Sequence, residues 1–312
     1  MTALDSVIGL TVIGAAVVVL AAPRLAAAVA FLVFGVVLAT LWAVLGAPDI
    51  ALAEAALGTG VTGALFIEAI TREQAEAARA SRRLWWAGTG LVLLTAAVLL
   101  PVFARVAEDA PAAGLGPVVE GAMPDSGVAH PVTAVLLAFR AYDTLLEIAV
   151  LFAAVVVAVA LAPARLSRSP GRSRSAPNPL VAAFVPRVLP VVVVAAGWFL
   201  FAGSALPGGA FQGAAVLAGA LLLVRVTGRL RPRPGVVAAW AAGGLLSFLA
   251  VATLGAPLGA WLALPPAAAS ATIVALETAL TLSIAVSLAV LVTVVGRVRP
   301  ATAAETAEVG DR

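Results

Sequence analysis

Glu54, Asp143, Glu147 and Glu277 are carboxylates set inside stretches of sequence otherwise suited only to lipid. A charge near the centre of a bilayer costs at least about 2.5 to 3.5 kcal/mol, so such residues persist beside a partner, a hydrated cavity or an ion in transit. The chemistry open to them is the binding and release of a proton or of a hard cation, whose preferred ligands are carboxylate, hydroxyl and carbonyl oxygens.

Glu54 lies one turn inside the segment Pro48-Asp49-Ile50-Ala51-Leu52-Ala53-Glu54, which is followed by Gly58-Thr59-Gly60-Val61-Thr62-Gly63 and then Glu68. Pro48 and Asp49 suit a helix start, because proline fits the first turn and a carboxylate there meets unsatisfied amides and the positive dipole end. On an ideal helix Gly58 and Glu68 share the Glu54 face, but Glu54 and Glu68 are roughly 21 Å apart, so a proton passing between them needs water or other groups. The glycines and threonines loosen the helix at mid-membrane, either to expose carbonyls for an ion or water, or to let neighbouring helices pack closely. For a cation such as Na⁺, Glu54, Thr59 and Thr62 would supply the oxygens.

A second group is Phe139-Arg140-Ala141-Tyr142-Asp143-Thr144-Leu145-Leu146-Glu147. On a continuous helix Arg140, Asp143 and Glu147 share one face, which makes either a structural ion pair or the entrance to a proton relay. A third is Phe201 to Gly213, where Pro207, Gly208, Gly209, Phe211 and Gly213 mark an uncharged break. Without a strand before it or a P-loop lysine it makes a poor nucleotide cradle, and it reads as a buried re-entrant turn at a subunit contact. Glu277 sits about 9 Å inside its own apolar run, beside Thr278 and Thr281. His130, the single histidine, precedes Pro131 in a loop and is expected to be solvated.

The elements that must carry these residues follow from composition. Hydrophobic residues make up 62% of the 312, charged residues 11%, and mean hydropathy is +1.11, which excludes a water-soluble globule. Uninterrupted apolar runs of about 20 residues predict an all-α polytopic transmembrane bundle, not a barrel. Nine spans are expected, at 4–22, 25–45, 50–70, 84–104, 142–162, 184–205, 211–229, 236–255 and 271–296. The arginine-rich gaps, including Arg79 to Arg83, Arg165 to Arg174 and Arg229 to Arg233, then fall on one side, placing the N-terminus outside and the C-terminus in the cytoplasm. The proline- and glycine-rich stretch from Arg105 to His130 reads as an external loop, and Pro163 to Pro179 as a cytoplasmic linker.

The basic pI of 10.8 does not indicate nucleic acid, because the arginines lie between apolar runs and form no stripe on a soluble domain. There are no cysteines and no lysines, so thiolate sites and titrating amines are both excluded. No catalytic triad, cofactor motif or metal-ligand cluster emerges, and the chain is expected to be neither an enzyme nor a cofactor carrier.

The Pro48-Asp49 to Glu54 segment with its Gly/Thr run resembles the MbhD-like domain at the C-terminal end of the large Mrp antiporter subunit, and Phe139 to Glu147 resembles the neighbouring MbhE-like segment. Phe201 to Gly213 with its flanking spans is similar to the MnhB/MrpB subunit, whose signature is Gly-His, two residues, then Pro-Gly-Gly-Gly-Phe. Here Ser204 replaces the histidine and Ala210 the third glycine. The resemblance implies an MbhD-like region at 1–105, an MbhE-like helix at 131–162, a linker at 163–182, an MnhB-like region at 183–300 and a tail at 301–312. It also implies a multi-pass plasma-membrane subunit of a multisubunit Na⁺/H⁺ antiporter, working only beside other membrane subunits, with Asp49, Glu54, Asp143 and Glu147 as the family's acidic positions. The large subunits of that family carry mid-membrane lysines; this chain has none and would supply a neighbouring part of the route. Two alternatives stand beside this: a purely structural subunit, and a membrane-arm subunit of a hydrogenase or related redox complex.

Overall fold

A computed structural model describes residues 24–62, 114–161, 179–227, 234–258 and 266–295, with a few isolated positions between them. Every element among these residues is helical. Helix α1 (Arg24–Val44) leads through a turn at Gly46 into α2 (Pro48–Ala53), which passes without a break into a π-helical segment, Glu54–Val61. Loop residues fold into α3 (Gly116–Ala122), and α4 (Pro131–Ala134) widens into a second π segment, Val135–Phe139. The long helices are α5 (Ala141–Leu161), α6 (Pro179–Ala202), α7 (Ala210–Val226), α8 (Pro234–Gly255) and α9 (Pro266–Val295).

Four stretches, Ala141–Leu161, Ala182–Ala202, Gly235–Gly255 and Ala268–Val294, are long and apolar enough to cross a bilayer, and Ala28–Val44 and Ala210–Arg225 are shorter apolar helices. The expected spans at 25–45, 142–162, 184–205, 211–229, 236–255 and 271–296 each coincide with one of these helices. The span at 84–104 is represented by a shorter apolar helix at Leu93–Val102, whereas most of 4–22, and the end of 50–70 with Glu68, lie outside the described residues. Helix α9 begins earlier than expected, because Pro266 sits in its first turn, where a missing N–H costs nothing. Glu277 is therefore about 16 Å along a helix of roughly 45 Å, nearly twice as deep as the sequence suggested.

Helix α9 is the centre of the bundle, packing against α7, α8 and α5, while α6 packs on α7 and the first π segment packs on α1 and α7. The shared core joins Leu145 and Ile148 of α5, Ala214 and Ala218 of α7, Phe248 of α8, and Ile273, Leu280 and Ile284 of α9. Between helices in lipid there is no hydrophobic driving force, so close approach and hydrogen bonds must hold them. The alanines of α7 permit that approach, and Ser283 donates to the Ala241 carbonyl of α8 at 2.8 Å.

Candidate functional site

Several polar contacts gather at the break between α6 and α7. Gly209 has φ of 108°, a conformation open to glycine, and a Cβ on Gly208 would stand 2.6 Å from the Phe199 carbonyl. These constraints fold Gly203 to Gly209 back onto the end of α6, where the Gly209 amide donates to Phe199 O at 2.8 Å. Gly209 caps α7 without a side-chain bond, leaving the amides at the start of α7 free to meet other groups.

Two carboxylates approach this turn. Asp49 accepts the Gly208 amide at 3.2 Å, and its two oxygens lie 3.1 and 3.0 Å from His130 Nε2. Both side chains are about seven-eighths buried, at 13% and 12% exposure, and Gln212 Nε2 donates to the Asp49 carbonyl at 3.3 Å. Glu277 is 4% exposed and takes a hydrogen bond from the Ala210 amide. One of its oxygens comes within 3.3 Å of where a Gly209 Cβ would be. Thr281, one turn on, donates to the Glu277 carbonyl at 2.7 Å. Three consecutive residues, Gly208 to Ala210, thus engage Asp49 and Glu277, and the dipole of α7 favours negative charge beside its first turn.

The placement of His130 corrects the sequence reading. It is not solvated: its amide and that of Ala129 donate to the Ser204 carbonyl at 3.1 and 3.0 Å, and Thr133 donates to the Gly203 carbonyl. Ser204 occupies the place where the resemblance implies a histidine, and the structure brings the imidazole of His130 to the same turn from a different element. A pairing across 81 residues has no local sequence signal. The expectation of Asp49 as a helix-start carboxylate holds in part, since it lies in the first turn of α2, yet its side chain turns to His130 and Gly208 and does not cap its own helix. The subunit contact expected at Pro207, Gly208, Gly209, Phe211 and Gly213 is a proposal; within the chain the turn meets Asp49, Ala129, His130 and Thr133.

Glu54 opens the π segment, half-buried, with its carboxylate lying over Gly58 so closely that a Cβ there would collide with it. The Gly/Thr run does loosen the helix: the i→i+5 pattern holds from Glu54 to Val61, and such bulges mark places where backbone groups are freed. Thr62 Oγ1 donates to the Leu57 carbonyl at 2.9 Å and is not brought to Glu54. The Thr59 side chain and the whole of Glu68 lie outside the described part of the molecule.

The second group is divided. The π segment ends at Arg140, whose φ of −128° and ψ of 40° break the helix, so Arg140 and Glu147 are not on one continuous helix as the spacing suggested. Arg140 pairs with Asp143 at 2.7 Å on an exposed face, with the two side chains 66% and 45% accessible. Glu147 is exposed on α5 and, among the described residues, is in no ion pair. Asp143 and Glu147 are therefore on the outer surface of this chain, whereas Asp49 and Glu277 are inside it. Among the described residues no three His, Asp or Glu side chains are grouped closely enough to hold a metal ion.

This geometry sits across two regions that known families share. Residues 9–74 match the MbhD family of MBH membrane subunits, and residues 180–298 match the domain related to the MnhB subunit of Na⁺/H⁺ antiporter. No curated protein matches the chain. A chain in the structure of the Mrp complex from a Dietzia species superposes with a TM-score of 0.73 at 19% identity, covering 97% of this chain and 36% of that one. The structure of the membrane-bound sulfane sulfur reductase, an archaeal respiratory membrane complex, contains a chain with a TM-score of 0.54 at 19% identity, covering 66% of this chain and 97% of that one. This chain therefore spans about a third of the length of its Mrp counterpart and shares its fold. The two family regions together span more than half of the sequence, in the order in which the Pro48-Asp49 and Pro207-Gly208-Gly209 segments occur. The protein is a multi-pass membrane protein that carries an MnhB-related domain at 180–298 behind an MbhD-type region at 9–74.

Proposed function

We propose that this chain is a membrane subunit of a multisubunit monovalent-cation/proton antiporter, exchanging cytoplasmic Na⁺ for external H⁺ only in complex with other membrane subunits. The observation that carries the reading is the gathering of Asp49, from the MbhD-type region, and Glu277 around one glycine turn of the MnhB-type region. A bundle built only to span lipid gains nothing from carboxylates at that depth. In this reading Glu54, on a loosened helix that packs against α7, binds the passing ion or proton, with Asp143 and Glu147 on the surface that faces partner subunits near the outer mouth. The chain performs no covalent chemistry and needs no cofactor. The proposed regions are 1–105, 131–162 and 183–300, joined by a linker at 163–182 and followed by a tail at 301–312.

The test is proton movement driven by a Na⁺ gradient in vesicles carrying the whole complex, compared with complexes assembled without this chain. The expected result is exchange with the chain and none without it; equal rates in the two preparations exclude a part in transport. A purely structural subunit is the second reading, favoured by the fixed pairs Asp49–His130 and Arg140–Asp143. It predicts that removing a carboxylate lowers the yield of complex while the surviving particles exchange at full rate.

A further inference from the structure

The mostly buried His130–Asp49 pair lies one residue along the chain from a surface cleft of about 460 Å³, lined among others by Met123, Gly127, Ala129, Ser204 and Ser270. Ala129 and Ser204 also fix the histidine, since the Ser204 carbonyl receives the Ala129 and His130 amides. Serine hydroxyls and loop backbone suit water, which needs two or more polar partners to settle. Within the pair, His130 is bonded to Asp49 through Nε2, and among the described residues nothing is bonded to Nδ1. An imidazole held in this way can gain a proton at one nitrogen and lose one from the other.

We propose that His130 and Asp49 form a proton-exchanging pair that connects this cleft to the glycine turn behind which Glu277 is buried. A hydronium ion arriving from the cleft side gives a proton to Nδ1 and leaves water, and the imidazolium releases its Nε2 proton to the Asp49 carboxylate, leaving neutral imidazole and a carboxylic acid. The return step reverses both transfers, so no other reactant is consumed. The Gly208 amide, bonded to an Asp49 oxygen, holds the carboxyl group against the glycine turn while protons come and go. The charged and titratable groups placed at this turn among the described residues are Asp49 from α2, Glu277 from α9 and His130 itself, and Gln212 of α7 completes the polar shell. The inference rests on the antiporter reading, and it adds a residue that neither the carboxylate pattern nor the family matches assign.

The test uses the whole complex in vesicles. His130→Gln keeps a hydrogen-bond donor for Asp49 but cannot carry a proton, and His130→Ala leaves room for added imidazole. The expected result is that both variants assemble with the full set of subunits and exchange at least about a hundredfold more slowly, the lower end of the range typical of a lost proton-transfer group. Imidazole in the external buffer is expected to restore a measurable part of the rate to His130→Ala and none to His130→Gln. A wild-type rate per assembled complex for His130→Gln overturns the proposal, and so does slow exchange explained by missing subunits. If the unaltered complex moves no protons in response to Na⁺, it is the antiporter reading that fails, whatever the variants do.

Discussion

Two ion pairs of similar length have different roles at the scale of single residues. Arg140–Asp143 spans one helical turn on the surface, and exposed pairs of that kind contribute between nothing and about 1 kcal/mol. Asp49–His130 is mostly buried and holds together segments 81 residues apart, so removing either partner strands the other, and removing Asp49 also strands the Gly208 amide, at about 1 to 3 kcal/mol. Double-mutant cycles of Asp49→Asn with His130→Gln and of Arg140→Gln with Asp143→Asn, read by thermal unfolding of the solubilised complex, are expected to show strong coupling for the first pair and little for the second. Equal coupling in both contradicts the structural role given to the turn. The sequence made Glu54, Glu277, Asp143 and Glu147 conspicuous because a carboxylate in an apolar run needs no alignment to be noticed. It hid His130 and Gln212, since polar residues in or near loops look ordinary until the fold brings them to Asp49. Arg140, Asp143 and Glu147 would share a face only on a continuous helix, and their spacing alone carries no warning of the break at Arg140.

At the scale of elements, the helices were legible and their interruptions only partly so. Apolar length fixed α1 and α5 to α9 to within a few residues, because the bilayer dictates both composition and span. The Gly/Thr run announced a weakened helix, and the π segment Glu54–Val61 is the form it takes; nothing comparable announced Val135–Phe139, whose residues are ordinary helix formers. The glycine turn is the element on which both carboxylates depend. Gly208→Ala is expected to push the turn off the Phe199 carbonyl, cost about 1 to 3 kcal/mol through strain and lost hydrogen bonds, and slow exchange by displacing Asp49 and Glu277 together. Gly219→Ala, where a Cβ meets open space inside α7, is the control and is expected to leave stability equal or slightly higher. Thermal unfolding and vesicle exchange measured on both variants check this, and similar losses for the two would contradict it.

At the scale of the whole molecule, the described long helices present largely apolar faces outward, the arrangement required where lipid or neighbouring subunits surround them. Leu146, Val150 and Leu161 of α5 and Leu180, Val191 and Val194 of α6 are each more than 60% exposed. Glu147 shares α5 with this apolar surface, and a carboxylate there is tolerable where another subunit covers it. The given sequence has no lysine, so under the proposed function a titrating amine would come from another subunit. The central claim is that acids persist here because ions or protons move past them. The most direct measurement is Na⁺-dependent proton exchange, per assembled complex, by vesicles carrying Glu54→Gln, which preserves shape and removes the charge. The account predicts normal assembly with exchange reduced at least about a hundredfold, the scale of a lost acid–base group. Normal assembly with exchange at the unaltered rate would contradict it.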